Sequence, residues 1–111
     1  MEVNISMQQS ASLVQLVGDL DGSTAPVAQE KILPLASPGA RVILDMSQVG
    51  YMSSAGLRML LALYRSIAGR GGKVVLVGLS PDLEDTMSLT GFMDFFQRFA
   101  TLDEGLAALQ D

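Results

Sequence analysis

The sequence contains neither histidine nor cysteine among its 111 residues. Without these side chains the chain cannot build a Ser-His-Asp triad, a Cys-His pair or the usual zinc and haem sites on its own. It also cannot form a disulfide, so nothing in it indicates a secreted cysteine framework.

Positive charge is scarce as well. Seven Lys and Arg residues stand against twelve Asp and Glu residues, giving a net charge of −5, and they form no basic run. This argues against binding to nucleic acid or to an anionic membrane surface. No apolar run approaches the roughly 20 residues of a membrane span, and the N-terminus lacks a signal core. We expect one folded cytoplasmic domain over residues 1–111.

Apolar runs alternate with helical patterns along the chain. Strands are expected at 3–6, 12–17, 41–45, 73–78 and 96–99, and helices over 25–35, 55–68, 81–90 and from 102 onward. A capping box at Thr101 and Glu104, and Ser80 followed by proline, mark two of the helix starts. Strands that alternate with helices predict an α/β fold with a mostly parallel sheet, here preceded by an N-terminal hairpin.

The stretch 42–61 joins a buried strand to the start of a helix. An apolar run at 42–44 is followed by residues 45–50, which we interpret as a mostly polar connection. Ser53 and Ser54 then precede a helical apolar stripe formed by Leu57, Leu60, Leu61, Tyr64, Ile67 and Ala68.

Two interpretations of the paired serines stay open from this local pattern. In one, the pair is a capped turn with an incidental second hydroxyl. In the other, a hydroxyl is displayed where a phosphate would meet free N–H groups and the positive end of the helix dipole.

A phosphatase is a second possibility. Asp19-Leu20-Asp21-Gly22 follows an apolar strand and resembles the first motif of haloacid-dehalogenase-like phosphatases. That resemblance would make Asp19 a nucleophile and Asp21 a general acid. However, Gly18 interrupts the strand, and no lysine site or late acidic pair completes the set.

The order of several short motifs resembles a stand-alone STAS domain of the bacterial anti-sigma factor antagonist family. The motifs are Gly18-Asp19-Leu20-Asp21, Ile43-Leu44-Asp45-Met46-Ser47, Tyr51-Met52-Ser53-Ser54-Ala55-Gly56-Leu57, a valine-rich strand ending at Gly78, Leu89-Thr90-Gly91-Phe92 and Asp103-Glu104-Gly105-Leu106-Ala107. The resemblance covers nearly the whole chain and implies a single domain with helices packed largely on one face of the sheet. The family's phosphorylated serine, two residues before Gly-Leu, falls on Ser54. Ser53 stands where the family often has aspartate, and Ala55 where it often has Ser or Thr.

The resemblance implies a binding module and not an enzyme, and we accordingly expect no catalytic residue, no metal site and no cofactor. The unphosphorylated form would bind an anti-sigma factor that is itself a serine kinase, and a metal-dependent serine phosphatase would reset Ser54 after phosphorylation. The implied partner-binding residues are Asp21, Thr24, Asp45, Ser53, Ser54, Ala55, Gly56, Leu57, Arg58 and Met59. The free protein is expected to be a monomer. A scaffold or transporter-associated STAS module with an unmodified serine is the remaining alternative.

Met59 and Leu63 lie off the expected apolar stripe of the central helix. They are either partly exposed and available to a partner or packed under a neighbouring helix. The sequence leaves both possibilities open.

Overall fold

Strands and helices alternate through the chain after an initial hairpin. The structure is a computed structural model and describes residues 1–110. Its elements are β1 (Glu2–Gln8), β2 (Ala11–Val17), α1 (Ala25–Ile32), β3 (Arg41–Gln48), α2 (Ser54–Ala68), β4 (Lys73–Val77), α3 (Pro81–Leu89), β5 (Gln97–Phe99) and α4 (Leu102–Leu109), with short 3-10 helices at Leu33–Leu35 and Phe92–Phe95.

The five strands form one sheet in the order β1-β2-β3-β4-β5. β1 and β2 pair antiparallel, and the other three pairings are parallel. Gln9 and Ser10 connect the first two strands with φ values of 51° and 71°, the left-handed backbone that tight hairpins require. The predicted parallel sheet with an N-terminal hairpin is therefore confirmed.

Both faces of the sheet carry helices. Val42, Leu44 and Met46 of β3 belong to a large apolar cluster with α1, α2 and α3. Ile43 points to the opposite face, where it joins a smaller cluster with Val75, Val77, Leu106 and Leu109. Alternating side-chain direction in a strand explains this division. Three helices on one face and α4 on the other confirm that the helices pack largely on one side.

β3 extends further than the sequence pattern predicted. The strand was expected to end at residue 45, and the expected polar connection is wrong for residues 46–48, which continue the strand. Met46 is fully buried between two more polar residues, Asp45 and Ser47. That alternation is typical of a strand with one covered face. The sequence pattern predicted a connection here because residues 42–44 are apolar on both faces and the alternation begins only after them.

The first helix begins at Ala25 as expected but ends earlier than the expectation. α1 stops at Ile32, and the chain tightens into the 3-10 turn Leu33–Leu35 around Pro34, which cannot donate a backbone hydrogen bond. The N-cap of α1 is Thr24, whose side chain makes no capping hydrogen bond to the helix.

The buried face of α2 is rotated from the predicted stripe. Its buried residues are Gly56, Leu57, Met59, Leu60, Leu63 and Ile67. Leu61 and Tyr64 are half-buried, and Ala68 is exposed. The rotation follows from α1, which packs against α2 and covers a side of that helix that the sequence pattern left open.

Candidate functional site

The two serines at the start of α2 have different structural roles. Ser53 is the N-cap, and its Oγ accepts a hydrogen bond from the backbone N–H of Gly56 at 3.3 Å. Its side chain is half-buried, and its carbonyl accepts from Leu57 N–H at 3.0 Å. Ser54 is the first helical residue and is exposed. Within residues 1–110 the Ser54 hydroxyl has no hydrogen-bond partner, so it is free to react.

Two backbone donors at the start of α2 lack an acceptor within residues 1–110. The first N–H groups of an α-helix have no intrahelical acceptor. Here the cap satisfies Gly56 N–H, whereas the N–H groups of Ser54 and Ala55 have no acceptor in the part of the chain that the structure describes. These two donors and the positive end of the helix dipole favour negative charge on Ser54.

The loop after β2 holds the start of α2 in place. The backbone N–H of Leu20 donates to Tyr51 O at 2.9 Å, and Ser53 N–H donates to Leu20 O at 2.9 Å. Leu20 and Met52 thereby form an isolated parallel bridge, and both side chains are buried. The role of Leu20 was not predicted, although a single large apolar residue between two aspartates indicates a buried anchor.

Asp21 and Thr24 form a hydrogen-bonded turn beside this bridge. Asp21 Oδ1 accepts from Ser23 N–H at 2.9 Å, from Ser23 Oγ at 2.8 Å and from Thr24 N–H at 3.1 Å. Thr24 Oγ1 in turn accepts from Asp21 N–H at 2.9 Å and donates to Asp19 O at 2.8 Å. The hydrogen bonds from the Ser23 side chain and backbone, and then from Thr24, lower the pKa of Asp21 below its ordinary value. The ionised form of Asp21 therefore accepts the hydrogen bonds that hold the loop next to Ser53.

Asp45 is not part of this group of residues. We expected it at the end of a strand near the serine, but it lies within β3 and faces the same side of the sheet as Ile43. Its carboxylate accepts from Ser47 N–H at 3.0 Å and from Gln15 Nε2 at 3.5 Å. α2 packs on the other face of the sheet and β3 continues to Gln48, so the expected position of Asp45 at a strand end is wrong.

The side chains that follow Ser54 divide into buried and exposed residues. Gly56 and Leu57 are buried, and Met59 is only 4% exposed. Met59 and Leu63 therefore pack under α1, which is the second of the two possibilities that the sequence left open. The expectation of an accessible Met59 side chain is wrong. Arg58 is exposed and lines a cleft of about 260 Å³ between α1 and α2. Small residues such as Gly22 and Ala55 form the part of that cleft nearest Ser54.

The geometry does not assemble the alternative phosphatase site. Asp19 is exposed, and the Asp21 carboxylate is occupied by Ser23 and Thr24. Among residues 1–110, no group of three or more carboxylate side chains could hold a metal ion. The same part of the chain contains no helix long and apolar enough to cross a membrane.

The comparisons with known proteins agree on one family. The chain is 31% identical over 108 residues to the anti-sigma-B factor antagonist of Bacillus subtilis, covering 96% of this chain and 99% of that protein. A crystal structure of an anti-sigma factor antagonist from Mycobacterium paratuberculosis superposes with a TM-score of 0.85 at 27% identity, covering 99% and 94% of the two chains.

The Bacillus protein SpoIIAA shares the fold at lower identity. Its unphosphorylated form gives a TM-score of 0.80 at 21% identity, covering 97% of this chain and 96% of that chain. Its phosphorylated form gives 0.73 at 20% identity, covering 98% and 100%. The family model described as the STAS domain matches residues 2–105. Because that match spans most of the chain, this protein belongs to the STAS domain family.

Proposed function

We propose that this protein is an anti-sigma factor antagonist whose binding is controlled by phosphorylation of Ser54. The relative from Bacillus subtilis, at 31% identity over almost the whole of both chains, carries that name. The observation that carries the proposal is the difference between the two hydroxyls. Ser53 caps the helix, and Ser54 is exposed without a hydrogen-bond partner in residues 1–110.

The binding partner is an anti-sigma factor that is itself a serine kinase. In the transfer step, the Ser54 oxygen attacks the γ-phosphorus of ATP, an O–P bond forms, and the bond to the β-phosphate oxygen breaks to release ADP. The hydroxyl proton leaves to a base of the kinase or to water. This chain contributes the acceptor and the donors at the helix start, so it acts as a binding protein and substrate without its own catalytic residue.

The resetting enzyme is a metal-dependent serine phosphatase. Water attacks the phosphorus of phosphorylated Ser54, inorganic phosphate leaves, and the hydroxyl is restored. Both reactions need a serine that protrudes from the surface, which the first turn of α2 provides. We place this cycle in the cytoplasm, with the free antagonist as a monomer.

The binding surface centres on the first turn of α2 and the adjoining loop. Exposed Ser54 and Arg58 and half-buried Asp21, Thr24, Ser53 and Ala55 are its accessible members. Buried Gly56, Leu57 and Met59 set the position of the turn from beneath. Tyr51 lies two residues before Ser53 and is 57% exposed. It adds an aromatic side chain of the kind that is enriched at protein interfaces.

Phosphorylation releases the partner because it changes charge and bulk at the centre of this surface. A phosphate adds about −1.5 to −2 charges at pH 7. The free N–H groups at the helix start offset part of that charge within this protein. A partner packed over the bare hydroxyl would have to desolvate the dianion beside the loop that carries Asp21, which costs binding energy.

The test is a pull-down from host lysate with the unphosphorylated protein, followed by identification of the captured kinase. The purified kinase and ATP should place one phosphate on Ser54 and release the antagonist, and Ser54→Ala should remain bound. Capture of a stable partner that neither phosphorylates the chain nor responds to ATP would instead indicate the scaffold module. No phosphate on Ser54 in protein isolated from the host under any growth condition would also contradict the proposal.

A further inference from the structure

Arg58 lies one helical turn after Ser54 on the exposed side of α2. Residues four apart on an α-helix share a face, with their Cβ atoms about 5–6 Å apart. Long helical side chains lean towards the N-terminus of their helix. This spacing places Arg58 within reach of the turn that carries Ser54.

The Arg58 guanidinium is uncommitted in the unmodified protein. It takes part in no ion pair or hydrogen bond with any of residues 1–110, in contrast to Arg98, which lies 3.7 Å from Glu84. The nearby Asp21 carboxylate is already engaged by Ser23 and Thr24. Arg58 lines the cleft between α1 and α2 together with the small residues Gly22 and Ala55, and Ala55 adjoins Ser54 in the first turn of the helix.

We propose that Arg58 pairs with the phosphate on Ser54 and stabilises the phosphorylated state from within the same helix. This inference rests on the proposed phosphorylation of Ser54. A guanidinium presents two parallel N–H groups that match phosphate oxygens, and such charge-assisted pairs are stronger than neutral hydrogen bonds. A negative group four residues before a positive one is also the favourable orientation on a helix.

The pairing gives phosphorylation a second effect on the binding surface. The modification replaces the free hydroxyl, and it also withdraws the free guanidinium from contact with a partner. The unphosphorylated surface presents a cation beside Ser54, whereas the phosphorylated surface presents an internally paired anion.

The experiment measures the second pKa of the phosphate, which is about 6 for phosphoserine. Phosphoserine is installed at position 54 during translation with a suppressor tRNA, so the measurement needs no kinase. The pKa is read from the ³¹P chemical shift during pH titration of three proteins: the parent, Arg58→Gln and Arg65→Gln. Arg65 is exposed near the other end of the same helix, so its substitution removes an equal charge without touching Ser54.

A paired guanidinium favours the dianion, so Arg58→Gln should raise the phosphate pKa by about 0.3 unit or more. Arg65→Gln should leave the pKa within about 0.1 unit of the parent, because the intervening distance exceeds the screening length at physiological salt. Equal shifts in both variants, or no shift in either, would overturn the pairing. If the cognate kinase fails to phosphorylate Ser54, the proposed function fails, but this titration still tests the pair.

Discussion

Gly56 lies so close to the backbone of Leu20 that a Cβ atom on it would be 2.6 Å from the Leu20 carbonyl oxygen. No real Cβ atom tolerates that contact, so an alanine would push apart two segments joined by the hydrogen bond from Ser53 N–H to Leu20 O. The glycine of the serine motif therefore sets the close approach of α2 to the loop after β2, and with it the position of Ser54.

Gly56→Ala should consequently lower the free energy of unfolding by about 1–3 kcal/mol, the usual cost of overpacking. Gly22→Ala is the matched control, because its Cβ would meet only Ala55 Cβ at an ordinary 3.9 Å. We expect that control to stay within about 0.5 kcal/mol of the parent. Urea denaturation of the three proteins measures the difference, and an equally large loss in the control would refute the role of the Leu20 carbonyl.

Ser53→Ala and Ser54→Ala should separate capping from phosphorylation. Loss of the N-cap in Ser53→Ala should cost about 1 kcal/mol of stability while the variant remains a kinase substrate. Ser54→Ala should have a free energy of unfolding within about 0.5 kcal/mol of the parent's, because the Ser54 hydroxyl has no hydrogen-bond partner in residues 1–110. This variant should accept no phosphate. Thermal unfolding and peptide mapping after incubation with kinase and ATP provide the two readouts. Phosphate found only on Ser53 would show that we have assigned the wrong acceptor.

Asp21→Ala should weaken kinase binding more than Asp103→Ala. Asp21 organises the turn beside Ser53, whereas Asp103 is an exposed residue in the first turn of α4, on the opposite face of the sheet. Asp21→Asn keeps an oxygen that can accept the same hydrogen bonds, so it distinguishes shape from charge. Calorimetric titration with the kinase compares the variants, and equal losses for Asp21→Ala and Asp103→Ala would place the interface elsewhere.

The lowered pKa of Asp21 predicts a specific pH dependence of stability. Its carboxylate is favoured in the folded state, so the stabilisation is fully present above the ordinary value of 3.8. It is lost as the pH falls through the lower folded-state pKa. The stability difference between the parent and Asp21→Asn should thus be constant from pH 7 to about 5 and shrink below pH 4. A difference that persists unchanged at pH 2 would contradict this account.

The phosphorylated switch should act locally. Ser54→Asp introduces one negative charge and should reduce affinity for the kinase about tenfold or more, because a partner packed over that carboxylate would have to desolvate it. Ser54→Ala should bind with affinity near that of the parent, and ATP should not release it. In the free protein, amide spectra of the phosphorylated form should change only near the start of α2 and the adjoining loop. Changes spread over the whole sheet would instead indicate a rearrangement of the domain.

Much of the fold was determined by the sequence itself. Strands that alternate with helices forced a mostly parallel sheet, and the capping box at Thr101 and Glu104 is present in the structure as predicted. Ser80 also caps α3 by accepting from Leu83 N–H at 3.2 Å. These features are local, because a cap or a crossover connection depends on residues that are close in sequence.

Other features were decided only by tertiary packing. The sequence left open whether the Met59 side chain is exposed, and in the structure α1 buries it. The apolar pattern of a helix does not specify which neighbouring helix will cover its side. Asp45 lies on the face opposite α2 because side chains alternate along β3, and the strand continues past it to Gln48, so its carboxylate is not at a strand end. The distinction between Ser53 and Ser54 likewise required the fold. Both hydroxyls precede the same apolar run, and only the bridge between Leu20 and Met52 orients Ser53 as the cap and leaves Ser54 exposed.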